Sequence, residues 1–509
     1  MNMRVNNDDL RKSFVDSLAT PSEDIAREIM ASAGGRPDLI EKAISTGTGL
    51  VAYDLQAPAK NLYPVNTPLI NALPRVHGGT GVATNWKQVS AINGSGFDNT
   101  PWVPEGQRAG TMSYTTANKA ASYVTIGEED QATFEAIAAG VGFEDIRASM
   151  TMRLLQKTKL KEEAAVLFGN VSLSLGTPTT PTASAAGSAG TLPSLTYSVI
   201  VVALTMEGAR NSSLAAGVAT SKVISGQDGK TFTIFGGSSN KSAAASQAVT
   251  LGQVLSVTVT PIVGASAYAF FVGAAGSEKL EKISTINSAV FSAPLLGTGQ
   301  AATLVVADNS ANPLGFDGLL TTALKAGSGA YVNTLATGTA GTGTVLTATG
   351  KGSVNEIDQM MQTMWDNNQA TVTAIYVNSQ QQRDITTKCL TGASAPLLQY
   401  FQDPKAGEYQ LTAGGVVEYY YNPYLNRKVP IIVHPNISAG TILGIAADLP
   451  AQYMSSEVPN VAEIKTRRDY YQIDWPITTR AQMAGVYSEE VLAVYAPFAL
   501  AVVNNIAAG

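Results

Sequence analysis

The sequence predicts an α+β protein carrying an inserted β-sandwich, and three features predict it. One long helical pattern runs from Gly142 to Asn170, short strand patterns separated by turns crowd 177–312, and helix and strand patterns alternate from 353 to about 448. In the long pattern Phe143, Ile146, Met150, Leu154, Thr158, Leu160, Ala164, Leu167 and Phe168 recur at three- and four-residue steps and form one stripe. Arg147, Arg153, Lys157, Lys161 and Glu162 lie opposite, and Gly169-Asn170 predicts a left-handed cap. Some 26 residues at about 1.5 Å each make a rod of roughly 39 Å. A helix of that length is expected to brace a structure wider than an enzyme core.

A chain of 509 residues is long enough for about three domains. Charged residues are only 14% against 45% hydrophobic, which leaves much neutral surface, the kind a subunit can bury against copies of itself. The net charge of −6 argues against a nucleic-acid reader. The densest basic spot, Lys465-Thr466-Arg467-Arg468, is flanked by Glu463 and Asp469 and reads as one face of a strand rather than a phosphate clamp. A single cysteine, Cys389, excludes an intramolecular disulfide and is expected to be a buried small residue, not a nucleophile. MNMRVNNDDLRK lacks the apolar core of a signal peptide, and the apolar run Val491–Val503 is interrupted by Pro497 and too short for a span. The expectation is a soluble chain in a reducing compartment.

Taken in order, residues 1 to about 60 read as an extended arm with two short amphipathic helices, around Ile25, Ile29 and Met30 and around Leu39, Ile40 and Ile44. Prolines 58, 64, 68 and 74 predict an extended, non-helical connection. Val82–Ile92 and Met112–Ile126 read as two long strands joined by a glycine-rich turn. Such a hairpin has little core of its own. Either it lies across another subunit or it is a sheet edge inside its own domain.

Residues 177–190 read as a linker of small residues. After it come strands at Tyr197–Thr205, Val218–Ile224, Thr231–Phe235, Val254–Thr260, Tyr268–Val272 and Thr303–Ala307, whose spacing predicts the sandwich. The ends of such an insert must lie close together. Ser353 reads as the cap of a helix with Glu356 at the capping-box position and Ile357, Met360, Met361 and Met364 on one side. Thr371–Asn378 is a strand pattern, Ser379–Cys389 a helical one, and Val416–Tyr421 and Val429–Val433 are further strands. Val461–Ile477 and Glu490–Val503 read as two long strands packed on the long helix.

Motifs for chemistry are missing. Gly350-Lys351-Gly352-Ser353 fails the phosphate-loop pattern at positions 345 and 352, and neither a Gly-x-Ser-x-Gly elbow nor an HExxH motif occurs. His77 and His434 are too few and too far apart in the chain to support a zinc site or a triad. Glu128-Glu129-Asp130 and Glu162-Glu163 could bind a cation, but such pairs more often lie on a solvated helix end, and the first sits where a helix would start. Tyr419-Tyr420-Tyr421 reads as a strand of mixed facing, not a stacking platform. No catalytic, cofactor-binding or metal-binding residue is assigned, and no enzyme is expected.

Trp102-Val103-Pro104-Glu105-Gly106, then Ser122-Tyr123-Val124-Thr125-Ile126, then the helix ending Lys161-Glu162-Glu163-Ala164-Ala165-Val166-Leu167-Phe168-Gly169-Asn170 follow one another in an order that resembles the major capsid protein of tailed bacteriophages, the Hong Kong 97-like fold. Asn378-Ser379-Gln380, Pro430-Ile431-Ile432-Val433 and Gly440-Thr441-Ile442-Leu443 fall where that family places axial-domain strands. The likeness covers about 60–176 and 313–509. It implies an N-terminal arm (1–62), an extended loop (63–126), a peripheral domain with a spine helix (127–176), an axial domain (313–450) and C-terminal peripheral strands (451–509). The segment 177–312 departs from the minimal pattern, and its strands resemble immunoglobulin or fibronectin type III domains. Some family members cross-link a loop lysine to a neighbour's asparagine; Lys87 and Lys119 lie on the loop, but no surrounding motif matches and that chemistry is not carried over.

The implied function is self-assembly through pentamers and hexamers into an icosahedral virion shell around double-stranded DNA, built in the host cytoplasm, with scaffolding, portal and decoration proteins as possible partners and no membrane. An acidic subunit suits that role, because a wall that gripped DNA would hinder packing and release. The alternatives are an encapsulin-like compartment shell and a surface or adhesive β-protein.

Overall fold

The long helix forms over Ile146–Phe168, 23 residues and about 35 Å. Asp145 caps it, its carboxylate accepting from the N–H groups of Arg147 and Ala148. Its end differs from the expectation: Gly169 has φ −46° and turns the chain into an extended path, not a left-handed one. Gly169 instead holds the next segment, since its carbonyl accepts from Gly318 N and Thr321 Oγ1. The computed structural model describes residues 65–96, 102–141, 145–350, 352–391, 398–402, 409–413, 416–448 and 460–509. The two arm helices expected before residue 60 lie outside the described residues.

The helix lies on a four-stranded sheet ordered Arg75–His77, Ala462–Asp474, Ala481–Val494, Val124–Thr133. The first pair is parallel and the others antiparallel. Met150 and Leu154 pack on Ala132, Ala484 and Val486 at one end of the sheet. Val166 and Leu167 pack on Ile464, Val491 and Leu492 at the other. The closing strands thus meet the long helix as expected. Glu128-Glu129-Asp130, expected at a helix start, instead lie within the strand Val124–Thr133, and the helix begins later, at Phe134, capped by Thr133.

The pattern Glu490–Val503 is not one strand. It breaks after Val494 at the turn carrying Pro497, where the missing proline N–H interrupts a ladder, and Leu500–Asn504 joins a different sheet. That sheet has six strands, ordered Tyr331–Thr334, Leu500–Asn504, Ile442–Ile445, Ala374–Val377, Arg427–Val433, Tyr419–Asn422. One face carries the helices Asn355–Asn368 and Ser379–Thr391 through Ile357, Met360, Met361, Met364 and Ile385. Its other face, with Tyr376, Leu443 and Val502, shares a core with Val166 and Leu167 of the long helix. Ser353 does not cap the first of these helices, being paired in a short strand; Glu356 accepts from Thr347 N.

Residues 177–312 form a five-stranded sheet, a three-stranded sheet and a separate hairpin, Ser221–Ser225 with Thr231–Phe235, so two of the strands expected in the sandwich stand apart from its two sheets. Tyr197, Val199, Val201, Phe270 and Val272 of the first meet Leu255, Val257, Ala289 and Phe291 of the second in one core. The opposite face of the larger sheet is also covered, by Val218, Ala302 and Val305, which explains why VIVVAL and AYAFFV read as unbroken apolar runs. Two further expectations fail. The small-residue linker contains a strand, Thr182–Ala186, recruited by the ladder it makes with Val254–Thr258. Thr303–Ala307 is not a strand, because the chain there makes a short 3-10 turn over Ala302–Leu304.

The chain enters and leaves these two sheets side by side. Asn312 N donates to Asn170 O at 2.7 Å, Asn170 Nδ2 to Ser310 O at 2.8 Å, and Gly176 N to Asp308 at 2.8 Å. A second attachment joins Asn287 to Asn505 and Thr337, with Asn287 N donating to Asn505 Oδ1 at 3.0 Å.

Candidate assembly surface and the acidic hub beneath it

Ala83–Asn93 and Ser113–Ser122 pair antiparallel along their length and, among the described residues, join no larger sheet. Ten residues at about 3.3 Å each give a ribbon of roughly 33 Å. The second strand ends at Ser122 and a new one starts at Val124, so the expected run Met112–Ile126 is two strands; Tyr123 between them faces the body. Beyond the root, Trp102, Met112 and Tyr114 are exposed, Trp102 to 84%. A two-stranded ribbon is marginal in water by itself, and exposed large apolar groups such as these commonly mark interaction sites.

The root is fastened to the strand Ala462–Asp474. Arg467 donates to Gly81 O at 2.9 Å and Gly79 N to Thr466 O at 3.1 Å. At Gly79 a Cβ would collide with the Tyr123 hydroxyl, so the close approach requires glycine. The basic run is a strand face, as expected: Arg467 pairs with Glu489, and Arg468 lies 5.6 Å over the Tyr471 ring.

Behind the root lie Glu162 and Glu163, and here the structure overturns the expected solvated pair. Both side chains are fully buried. Glu163 accepts from Leu69 N at 2.8 Å and Ile70 N at 2.9 Å, and His434 Nε2 lies 2.7 Å away. His434 Nδ1 accepts from Asn436 N, so Nε2 carries the proton and donates to Glu163. The two backbone contacts explain a helix the prolines were expected to forbid. Pro68–Ala72 is helical with Pro68 in its first turn, Thr67 makes no side-chain cap, and Glu163 supplies the missing acceptor from 93 residues away.

Glu162 faces the other way, hydrogen-bonded to Arg75 and the Tyr470 hydroxyl. Arg75 also reaches Asp469 at 2.8 Å and Glu490 at 3.2 Å, and its guanidinium lies 4.9 Å over the Tyr470 ring. Ser488 donates to Glu490 Oε2, while Glu490 Oε1 is buried without a partner. His77 Nδ1 lies 3.6 Å from Asp469, and Lys159 is 5.6 Å over the Tyr470 ring. Three carboxyls thus share one guanidinium. Burial, then the neighbouring Glu490, push Glu162 up to about 8 against the pull of Tyr470 and Arg75. Burial likewise raises Glu490. The hub therefore holds a proton at neutral pH, and it ties the segment leading into the hairpin to the long helix and to both central strands of the sheet.

A carboxyl that titrates higher folded than unfolded keeps its proton after the unfolded chain has lost it. Stability therefore falls as pH rises from 4.5, the ordinary Glu value, to about 8 and levels off beyond. Glu162→Gln is expected to flatten that fall, measured by denaturant titration at several pH values.

Other singled-out residues have structural roles. Cys389 is buried and its thiol is pushed up by burial and by Asp358. Tyr419 and Tyr421 are exposed while Tyr420 is buried, donating to Asp358 at 2.7 Å. Among the described residues no group of three His, Cys, Asp or Glu could hold a metal ion, and no helix is long and apolar enough to cross a membrane.

No protein-family model matches the chain, and no curated protein does. Solved structures do resemble it. The capsid of a native GTA particle is similar with a TM-score of 0.41 and 9% identity, over 91% of this chain and 99% of that one. The holo-SrpI encapsulin complex from Synechococcus elongatus PCC 7942 gives 0.38 and 9%, over 88% and 93%. A structure from Mycobacterium phage Bobi gives 0.39 and 10%, over 90% and 96%. Similarity at this level transfers no residue role.

Proposed function

We propose that this chain is a non-catalytic shell subunit, the major capsid protein of a tailed bacteriophage, assembling through pentamers and hexamers into an icosahedral shell around double-stranded DNA. The observation that carries the reading is the hairpin: a ribbon of roughly 33 Å with Trp102, Met112 and Tyr114 in water, standing on a root braced by a buried charge hub. A lone enzyme domain gains nothing from such a ribbon. A tiling subunit does, because each ribbon becomes stable when it lies over its neighbour. Permanent interfaces of that kind bury more than about 2,000 Å². The sequence resemblance supplies the nature of the contents. Particles purified from expressing cells and treated with nuclease are expected to retain double-stranded DNA when portal and packaging proteins are present. Shells that hold a cargo protein and no DNA under those conditions favour an encapsulin-like compartment instead.

Within this reading 177–312 is a separately folding β-sandwich set into the capsid subunit, on the outside where a DNA-filled interior leaves it room. Because Gly176 and Asp308 are in hydrogen-bond contact, replacing 177–307 by a short Gly-Ser linker is expected to give a soluble, cooperatively melting subunit. Insoluble protein from several linker lengths would show that the two sheets belong to the core of the whole.

A further inference from the structure

The inserted sandwich is held to the body by more than its two chain connections. Those connections lie together, at Asn170, Gly176, Asp308 and Asn312, and alone they would make a hinge. Domains tied only in that way move against one another by default. A second contact is built by the glycine- and threonine-rich loop 336–343, which is fastened to itself and to the body: Gly343 N donates to Thr339 O at 2.8 Å, and Thr344 Oγ1 to Ala336 O at 2.7 Å. Gly341 has φ +77°, and its N–H donates to Ser288 Oγ at 3.0 Å. A Cβ there would fall 2.5 Å from Val290 Cγ2, so only glycine lets the loop lie this close to Ser288–Phe291, the edge strand of the three-stranded sheet. Asn287 closes the contact. Its N–H donates to Asn505 Oδ1 at 3.0 Å, its Oδ1 accepts from Asn505 Nδ2 at 3.1 Å, and its Nδ2 donates to Thr337 Oγ1 at 2.8 Å and to Val259 O. Asn505 Nδ2 also donates to Leu335 O at 2.8 Å. Asn287 is fully buried with every side-chain polar atom paired, and a satisfied buried network of this kind fixes one arrangement.

We infer that loop 336–343 and Asn505 form a seat that fixes the sandwich in one orientation on the body, and that the seated sandwich in return holds down the end of the C-terminal strand Leu500–Asn504. Asn505 follows that strand directly and has φ +59°, a left-handed backbone that residues other than glycine adopt uncommonly. An insert hanging from its two connections would need neither this conformation nor a glycine pressed against its edge strand. The insert's helix Met206–Asn211 reinforces the seat. Met206 is buried in the core that also holds Val166 and Val502, and Arg210 Nη1 donates to Pro435 O at 2.9 Å. Swinging the sandwich about the chain crossing would break all of these contacts at once. The seat belongs to the single subunit, so it stands or falls independently of shell assembly.

Spin labels on Leu251→Cys in the sandwich and Tyr424→Cys in the body read the orientation in the full-length chain; both positions are exposed, and Cys389 is buried. With the seat intact, the distance between the labels is expected to be a single narrow distribution. Asn505→Gly accepts the left-handed backbone and removes only the side chain that spans the two parts, and it should broaden the distribution. Gly341→Ala should do the same by pushing Val290 away, and adding Val290→Ala should restore part of the narrowness. A broad distribution in the chain with the seat intact, or a narrow one that neither variant widens, overturns the seat. Hydrogen exchange reads the return effect. In Gly341→Ala the amides of Ile506 and Ala507, which donate to Gly440 O and Thr344 O, should exchange about tenfold faster, while Val199–Val202 inside the sandwich keep their protection. Unchanged exchange at Ile506 and Ala507 overturns the hold on the C-terminal strand. Equal loss of protection at Val199–Val202 overturns the seat as well, because the loop would then belong to the sandwich's own core.

Discussion

Glu163→Ala is expected to lower the stability of the isolated subunit by about 3–5 kcal/mol, because it leaves three hydrogen-bond donors without an acceptor at about 1–3 kcal/mol each. The substitution strips the acceptor from Leu69 N, Ile70 N and the His434 imidazole at once, leaving three donors buried. Glu163→Gln keeps the shape and an acceptor oxygen and should cost less, about 1.5–3 kcal/mol, the worth of a charged hydrogen bond. Equilibrium unfolding in urea measures both. His434→Ala combined with Glu163→Ala should cost less than the sum of the two, since they share one contact. Additive losses would mean that Glu163 and His434 act separately.

Arg75→Met should be comparably severe, about 3–5 kcal/mol at pH 8, because it leaves Glu162, Asp469 and Glu490 facing one another with no guanidinium among them. Its cost depends on pH. Loss of the cation raises Glu162 and Glu490 further, so the deficit shrinks as pH falls and these two take up protons, and grows as pH rises. Adding Glu490→Gln removes one of the crowded acids and should recover part of the loss. Protease cleavage near Gly78–Val82, at the hairpin root, should become faster in Arg75→Met, since Arg75 begins the strand that leads there. A loss independent of pH would show that Arg75 contributes packing alone.

The long helix and the hairpin strands were legible because each is governed by local pattern: a four-residue stripe in one, strand patterns around a glycine-rich turn in the other. The hub was not, because it is made by residues from three distant parts of the chain. One signal was present. Steps of four from Met150 pass through Leu154 and Thr158 to Glu162 and on to Val166, and all five are buried. Hydropathy assigned Glu162 to the polar face, whereas position on the helix assigned it to the buried row. The helix at Pro68 was hidden for a similar reason, its cap being contributed by Glu163 and not by the adjacent Thr67. Thr182–Ala186 has no strand-forming residue but Thr182, and only the ladder to Val254–Thr258 makes it a strand. At Pro497 a continuous apolar run conceals the passage from one sheet to another.

Electron microscopy of the purified full-length chain tests the central claim most directly. The account predicts closed polyhedral shells in which each subunit's hairpin lies across its neighbour. A preparation that remains single subunits of 52.9 kDa at all concentrations and salt conditions, with the hairpin free in solvent, would contradict it.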